Sequence, residues 1–408
     1  MFGKHFAIQL GKMLNKKATS GTNQKPYLAN SNVRWGNFET HNLQTMHFNS
    51  DEMDKFSLRP GDLIVCEGGE VGRAAVWDGR IAPCYFQKAL HRLRPIDKEV
   101  DVVFARYFLD FSVCTGLINS IIGTTSISHF TREQFLRFPI WFPTVEEQKL
   151  LVTILSTWER AIEEAERLLA LKQRRKRALM QQLLTGQQRF PEFAKSKGTQ
   201  DTLLGPIAVD WPLNPISTVF ERVRRKNGTS TDRVLTASGQ HGLVDQRDYF
   251  DRNVAGVSLE GYYVLERGEF AYNRSAMKGY PYGAIKRLDA RECGAVSTLY
   301  HCFGLKDRES DSDFFMHLFE FGLLNRQLRR ICQVGGRAHG LLNVTAGDFE
   351  KMLVPVPSKE EQVRIAGVLN KCDEEIEQLK AQLEALKKQK KGLMQQLLTG
   401  RVRVAAEG

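Results

Sequence analysis

Few side chains in this sequence are spaced for catalysis. The nine histidines show no H-E-x-x-H or other ligand spacing of the kind that places zinc donors on one helix face. Acidic pairs such as Asp311 and Asp313, candidates for general acid and base work, are expected in a polar loop. Gly68-Gly69-Glu-Val-Gly72 has the glycine content of a phosphate-cradling loop. It runs into Arg73-Ala-Ala-Val-Trp77, which reads as strand, whereas a dinucleotide site needs a helix N-terminus at that point; a hairpin turn is expected instead. There is no G-x-x-x-x-G-K-[ST] loop and no Asn-Pro-Pro-Tyr or Asp-Pro-Pro-Tyr tetrapeptide of the amino-methyltransferase kind. The seven cysteines are scattered without a C-x-x-C pair, which predicts reduced thiols and neither a disulfide scaffold nor a metal site. No catalytic residue, metal ligand or cofactor is therefore assigned to this chain.

The chemistry that remains is ionic. The formal net charge is +11 and the pI about 9.3, a balance that fits a polyanion whose counterions are released on binding. The apolar fraction of 42% and charged fraction of 26% are those of a soluble protein. No run reaches the length of a membrane span, and Met1-Phe-Gly-Lys-His lacks the pattern of a signal peptide. A cytoplasmic chain with no membrane contact is expected, and the sequons at Asn227, Asn273 and Asn343 are expected to carry no sugar.

These residues are positioned by a chain that repeats itself. Met180-Gln-Gln-Leu-Leu-Thr-Gly186 recurs as Met394-Gln-Gln-Leu-Leu-Thr-Gly400, and the match runs backwards without a gap at an offset of 214. Pro143 pairs with Pro357, Glu146-Glu147-Gln148 with Glu360-Glu361-Gln362, Thr131 with Thr345, and Phe135 with Phe349. Two copies at so long a period indicate a duplicated module, not a solenoid. The segments that follow are a globular domain over 1–142, a helical region over 143–186, a linker over 187–212, a second globular domain over 213–356, and a second helical region with a tail over 357–408. Short apolar runs such as Leu63-Ile-Val-Cys66, Ala74-Ala-Val-Trp77 and Glu269-Phe-Ala-Tyr272 read as strands. Val102-Val-Phe104 could be strand or the start of a helix reaching Phe111.

Each helical region has a capping residue, Thr144 or Ser358, with a glutamate three positions on, and a glycine stop at Gly186 or Gly400. In the second, Ile365, Leu369, Cys372, Ile376, Leu379, Leu383, Leu386, Lys390, Leu393 and Leu397 step by four and three, a coiled-coil seam. In the first, the seam is Leu151, Leu155, Trp158, Ile162, Ala165, Leu169, Lys172, Lys176, Leu179 and Leu183. A helix of about 40 residues spans some 60 Å, too long for one small domain, so the two copies are expected to pair. Pairing through equivalent surfaces sets them antiparallel. The fold class expected is α/β (α+β): two similar globular domains joined by two long helices in an antiparallel coiled coil, with pseudo-twofold symmetry. The basic clusters 172–177 and 387–391 complement the helix dipoles and make a solvated face, with phosphate contact as the alternative.

The duplicated stretch from Pro143 to Gly186, repeated from Pro357 to Gly400, resembles the specificity (S) subunit of type I restriction–modification enzymes. So do Thr236-Ala-Ser-Gly-Gln-His-Gly-Leu-Val-Asp-Gln246, Phe270-Ala-Tyr-Asn-Arg-Ser275 and Tyr280-Pro-Tyr-Gly-Ala-Ile-Lys-Arg287, which look like one recurrent type of target-recognition domain. The first globular domain matches less closely, through Tyr27-Leu-Ala-Asn-Ser-Asn-Val33 and residues 58–65. The resemblance implies that each domain reads one half of a split target in double-stranded DNA. It implies that the helices fix the spacer and dock two methyltransferase (M) subunits through Leu155, Ile162, Leu169, Leu179, Leu183, Leu369, Ile376, Leu383, Leu393 and Leu397. Two restriction (R) subunits complete the assembly. S-adenosylmethionine, ATP and Mg belong to those partners.

Polar and basic groups interleaved with tyrosines suit base-edge bonds, phosphate contacts and wedging. In the second domain these are Tyr272, Asn273, Arg274, Lys278, Tyr280, Tyr282, Lys286 and Arg287, with Gln240, His241, Gln246, Arg337 and His339 as further candidates. In the first they are Arg34, Asn37, Glu70, Arg73, Gln87, Lys88, Thr125 and Ser128. Two other readings stand beside this one: a type IIG-like DNA-modifying enzyme, and a coiled-coil adaptor that reads no sequence.

Overall fold

A computed structural model describes residues 1–122, 129–194, 196, 198–239, 242–249, 259–332 and 342–404. The chain forms two compact units, the first Met1–Arg167 with Ala381–Gly408 and the second Leu168–Lys380.

The first unit is organised by a four-stranded sheet of β1 (Phe6–Leu10), β2 (Leu63–Cys66), β3 (Ala74–Val76) and β4 (Leu90–Pro95), in the order β1-β4-β2-β3. The unbroken apolar run of β2 has a physical reason: both of its faces are covered. Leu63 and Val65 point into a core with Phe6, Ile8, Leu93, Phe108 and Phe135. Ile64 and Cys66 point the other way, into a core with Phe48, Trp77, Tyr85 and Phe86. The expected turn at Gly68-Gly69 connects β2 to β3, which pair antiparallel. Helix α1 (Val102–Cys114) starts where Asp101 accepts hydrogen bonds from the amides of Val103 and Phe104 at 2.8 and 3.1 Å, so the ambiguous run at 102–104 is helix. A short helix, α2 (Arg132–Arg137), is capped by Thr131.

Two helices supply surfaces to both units, α3 (Val145–Leu184) and, from the far end of the chain, Lys359–Leu397. The second unit repeats the sheet with β5 (Phe220–Arg222), β6 (Phe270–Asn273), β7 (Ala284–Arg287) and β8 (His301–Leu305), in the order β5-β8-β6-β7. Phe220 lies among Phe270, Phe303, Phe315 and Phe319 at ring separations of 5.0–5.8 Å. Helix α4 (Ser312–Phe321) is capped by Asp311, which accepts from the Phe314 amide at 2.8 Å. Asp311 and Asp313 are thus not loop residues, because an apolar run follows them and buries one helix face. The helix α5 (Ala346–Glu350) has Thr345 as its cap, matching Thr131, and the long helix Lys359–Leu397 is α6. Between 187 and 212, where a linker is expected, a hairpin of Thr199–Thr202 and Gly205–Ala208 packs Leu204, Ile207, Ala208 and Trp211 into the core.

In each unit the start of one long helix packs on the end of the other. Leu151 and Leu155 meet Met394, Leu397 and Leu398 in the first. Ile365 and Leu369 meet Met180, Leu183 and Leu184 in the second. The residues correspond at the offset of 214, and the pairing is antiparallel in both. No seam position of either helix is exposed. Gly186 and Gly400 sit just beyond the helices at φ +68° and +71°, a backbone conformation that a Cβ disfavours. Replacing Phe220 by alanine should destabilise the second unit by about 3–5 kcal/mol, read from its urea transition in the full chain.

Candidate functional site

The long helices are tied to the globular parts by two glutamines with no exposed surface, Gln148 and Gln362. The Asp101 amide donates to Gln148 Oε1 and the Asp311 amide to Gln362 Oε1, each at 2.8 Å. The same side chains donate to the carbonyls of Pro143 and Pro357 at 2.9 and 2.8 Å. Because Asp101 and Asp311 cap α1 and α4, each glutamine joins a domain helix to a long helix.

Two of the ion pairs that tie each long helix to the other or to the residues just beyond it recur at the offset of 214. Arg403 makes two hydrogen bonds to Glu147 at 2.7 and 2.6 Å and lies over Trp141. Its counterpart Arg189 grips Glu361, lies over Trp211, and Trp211 Nε1 donates to the same carboxylate at 3.1 Å. The two glutamates expected to complete capping boxes thus face arginines beyond the partner helix, while Thr144 and Ser358 still accept from the amides of Glu147 and Glu361. Hydrogen bonds from Arg403 hold the Glu147 carboxyl below the usual carboxylate range. Lys390 pairs with Glu159 at 3.1 Å and its counterpart Lys176 with Asp373 at 2.5 Å. Lys172 reaches Glu375, and Lys387 reaches Glu166. Four lysines of the basic clusters therefore neutralise carboxylates of the other helix.

In the first unit this system is buried. Arg106, 4% exposed, bonds both Asp110 and Glu159, and Tyr107 donates to Glu159 at 2.7 Å. Burial opposes the charge on Glu159, but the hydrogen bonds and charge of Arg106, with Lys390, hold it at about 2. Asp110 moves the other way: burial, with Glu159 adding to it against Arg106, pushes it up to about 7. In the second unit the corresponding place holds His317, whose Nε2 lies 2.7 Å from Asn370 Oδ1, and burial lowers its pKa.

The candidate side chains of the second unit fall into three groups. Tyr272 belongs to the core: it has no exposed surface, stacks on Phe349 at 5.1 Å, and donates to the Tyr282 carbonyl at 2.7 Å. Its strand has both faces covered, so alternation leaves it no exposed side. Asn273 is buried and accepts from the Ser275 amide. Lys286 and Tyr280 form a knot: Lys286 Nζ bonds Glu320 at 2.5 Å and Tyr280 at 2.7 Å, and Tyr280 donates to Glu320. Arg274 donates to the carbonyls of Leu299 and Val344, and Arg287 bridges Asp289 and Asp313 at 2.6 Å each. Tyr282 is half-buried against the core, and the Gln246 Oε1 is buried without a hydrogen-bond partner. Lys278 is exposed on the β6–β7 connection and has no ion pair among the described residues. Gln240, His241, Arg337 and His339 lie outside the described residues.

In the first unit, Arg73 pairs with Glu70 at 2.7 Å and donates to Asn30 Oδ1 at 2.6 Å, while Asn30 donates to the Gly68 carbonyl. Arg34 pairs with Glu39, and Asn37 accepts from Arg80. The backbones of Gln87 and Lys88 bond Leu28 and Lys12, and the Lys88 side chain is exposed. Thr125 and Ser128 lie outside the described residues. Glu70 and Arg73 stand on the β2–β3 connection, and Lys278 and Tyr280 on the β6–β7 connection. These connections occupy the same place in the two sheets, with different side chains. Sequence reasoning missed Arg189, Arg403, Arg106 and Glu159. One signal was present: Lys176 and Lys390 both occupy apolar seam positions, which calls for buried carboxylates.

Among the described residues no cluster of three His, Cys, Asp or Glu side chains is placed to hold a metal ion, and no helix is long and apolar enough to cross a membrane.

The family profile described as "Type I restriction modification DNA specificity domain" matches residues 6–173 and 285–388. The type I restriction enzyme MjaVIII specificity subunit of Methanocaldococcus jannaschii is 24% identical over 359 residues, which cover 81% of this chain and 78% of that protein. The crystal structure of the type I restriction–modification S subunit from M. genitalium superposes with a TM-score of 0.53 at 16% identity, covering 97% of this chain and 94% of that one. A structure described as showing complex assembly and conformational transition of the type I R-M system gives a TM-score of 0.57 at 14% identity, covering 97% and 96%. At these identities the two structures show the fold.

The buried ion network makes a pH-dependent prediction with two signs. Glu159 has a depressed folded pKa, so its stabilisation is present above the ordinary 4.5 and is lost as pH falls toward about 2. Asp110 has a raised one, so its contribution is complete below 3.8 and is lost as pH rises through about 7. Glu159→Gln, which leaves Arg106 under-compensated, should cost about 3–5 kcal/mol near neutral pH. Asp110→Asn should flatten the decline between about pH 4 and 7. Urea titrations across pH on the full chain measure both.

Proposed function

The chain belongs to the type I restriction–modification DNA specificity family, and from that membership we propose that it selects the DNA sequence for a complex whose catalytic steps other subunits perform. Each globular domain, the first over 1–142 and the second over 213–356, reads one half of a two-part target. The long helices set the spacer between the halves and dock two methyltransferase subunits, with restriction subunits completing the assembly. S-adenosylmethionine, ATP and Mg then belong to those partners. The observation that carries the reading is the contrast between constant and variable parts. The helix pairs repeat residue by residue, Arg403–Glu147 with Arg189–Glu361 and Lys390–Glu159 with Lys176–Asp373. The connections β2–β3 and β6–β7 instead carry unlike side chains. Like surfaces suit identical partners, and unlike connections suit unlike half-sites.

The described geometry narrows the DNA candidates. Lys278 and Lys88 are exposed and suit phosphate contact, while Glu70, Arg34 and Asn37 offer polar groups at the surface of the first domain and Arg73 holds Glu70 and Asn30 in place beneath them. Tyr280, Lys286, Arg274 and Arg287 act by fixing the shape of the second domain's connections. Tyr272 supports them from the core.

Two outcomes are expected. The chain assembled with methyltransferase subunits should bind a two-part duplex about 10³–10⁷ times more tightly than random DNA in salt-matched competition; equal affinity would sink the proposal. Inserting seven residues in register into both α3 and α6 should lengthen the preferred gap, read by sequencing methylated adenines in cells that carry the variant.

A further inference from the structure

The two units differ at one place where their backbones correspond, and the difference opens a cleft. In the first unit, Arg132 at the start of α2 lies beside β1 and donates from Nε to the Ile8 carbonyl at 3.0 Å. At the offset of 214, Arg132 becomes Ala346, Ile8 becomes Arg222 and Leu10 becomes Arg224. The residue following the neighbouring strand changes likewise, from Ile96 after β4 to Lys306 after β8. One arginine has been removed from the helix, and three cations stand where the first unit has aliphatic side chains. A cleft of about 420 Å³ lies there in the second unit, lined by Arg222, Arg224, Lys306, Phe349 and Ala346.

The two guanidiniums in this cleft face no carboxylate partner among the described residues, while Lys306 Nζ donates one hydrogen to the carbonyl of Ser217, which also lines the cleft. Arg222, Arg224 and Lys306 are exposed, and among the described residues none of them has a carboxylate within ion-pair distance. Glu221 and Glu350 also line the cleft, so the cations exceed the carboxylates by one. His301 at its floor is committed elsewhere, with Nε2 2.9 Å from the Val344 carbonyl. Edge strand β5 holds Arg222 on a sheet, with Phe220 anchoring it in the core, and Arg224 follows two residues beyond the strand end. Two planar guanidinium forks beside an ammonium match the oxygens of a tetrahedral phosphate better than those of a small monovalent anion.

We infer that this cleft receives a phosphate group, and that in DNA it would take a backbone phosphodiester, a contact without sequence information that sets the second domain's register on the duplex. Only the DNA source of the phosphate rests on the proposed function; the cleft itself does not.

The test uses the full chain in wild-type form, as the Arg222→Gln/Arg224→Gln double variant, and as the Arg222→Lys/Arg224→Lys variant that keeps the charge. Circular dichroism first establishes that the variants fold. In the DNA arm, the glutamine variant should weaken binding to target and random duplexes by the same factor, and the slope of log K against log salt should fall by about two. The lysine variant should keep the wild-type slope. In the phosphate arm, inorganic phosphate should raise the thermal midpoint above that in chloride at matched ionic strength for the wild-type and lysine chains, and by less for the glutamine chain. A response in the phosphate arm alone assigns the cleft to a free phosphate compound. A glutamine variant that matches wild type in both arms overturns the inference. A wild-type chain that binds random duplex as well as target would defeat the proposed sequence reading, yet leave both arms measurable.

Discussion

A fully buried primary amide must satisfy its donors and acceptor inside the protein, and the two glutamines at 148 and 362 do so in the same way. Each takes the amide of the aspartate that caps a domain helix and gives a hydrogen to the carbonyl of the proline before a long helix. A lost partner would leave a buried polar group without compensation, at about 1–3 kcal/mol. The domain helix therefore cannot drift relative to the long helix it abuts, and the sheet packed on that helix is fixed with it. Everything variable in this protein, the strand connections above all, is displayed from a frame held at these two points.

Around that frame the two units solve one electrostatic problem differently. A lysine at an apolar seam position is neutralised by an acid in both. Beside that pair the first unit adds Arg106, Tyr107 and Asp110, while the second places His317 against Asn370. The pairing between long helices is conserved between halves because it uses their own side chains. The contact with the domain changes because the domains have changed. Divergence stops at the helix surface.

The long helices were legible because their signals are local: heptad spacing, a capping threonine or serine, a terminal glycine. Strands such as 63–66 and 270–273 were legible as apolar runs. Their order in the sheets was not, since β4 inserts between β1 and β2 by pairing with β1 across 81–89 residues and with β2 across 24–30. Asp311 could have been read as a cap from the apolar run behind it. Tyr272 could not have been placed in the core without knowing that β6 is covered on both faces. The partners of Glu147 and Glu361 were hidden by distance along the chain, 256 and 172 residues, although the repeat continues through Arg189 and Arg403. Lys278 and Lys88 stand at the surface in the structure, whereas Lys286, another of the DNA-contact candidates, is paired with Glu320, a partner 34 residues away that its own segment does not announce.

The first unit is completed by the last part of the chain. Met394, Leu397 and Leu398 cover Leu151, Leu155, Phe104 and Tyr107, and Arg403 closes on Glu147. During synthesis, residues 168–380 have all been made before any of these covering residues exists. The second unit can therefore close while the first still exposes an apolar seam, a state in which nascent chains attract chaperones or associate wrongly. The domain made first matures last. A polypeptide that stops short of α6's end leaves Leu151 and Leu155 without the side chains that cover them, so an incomplete chain differs from a finished one at its first unit.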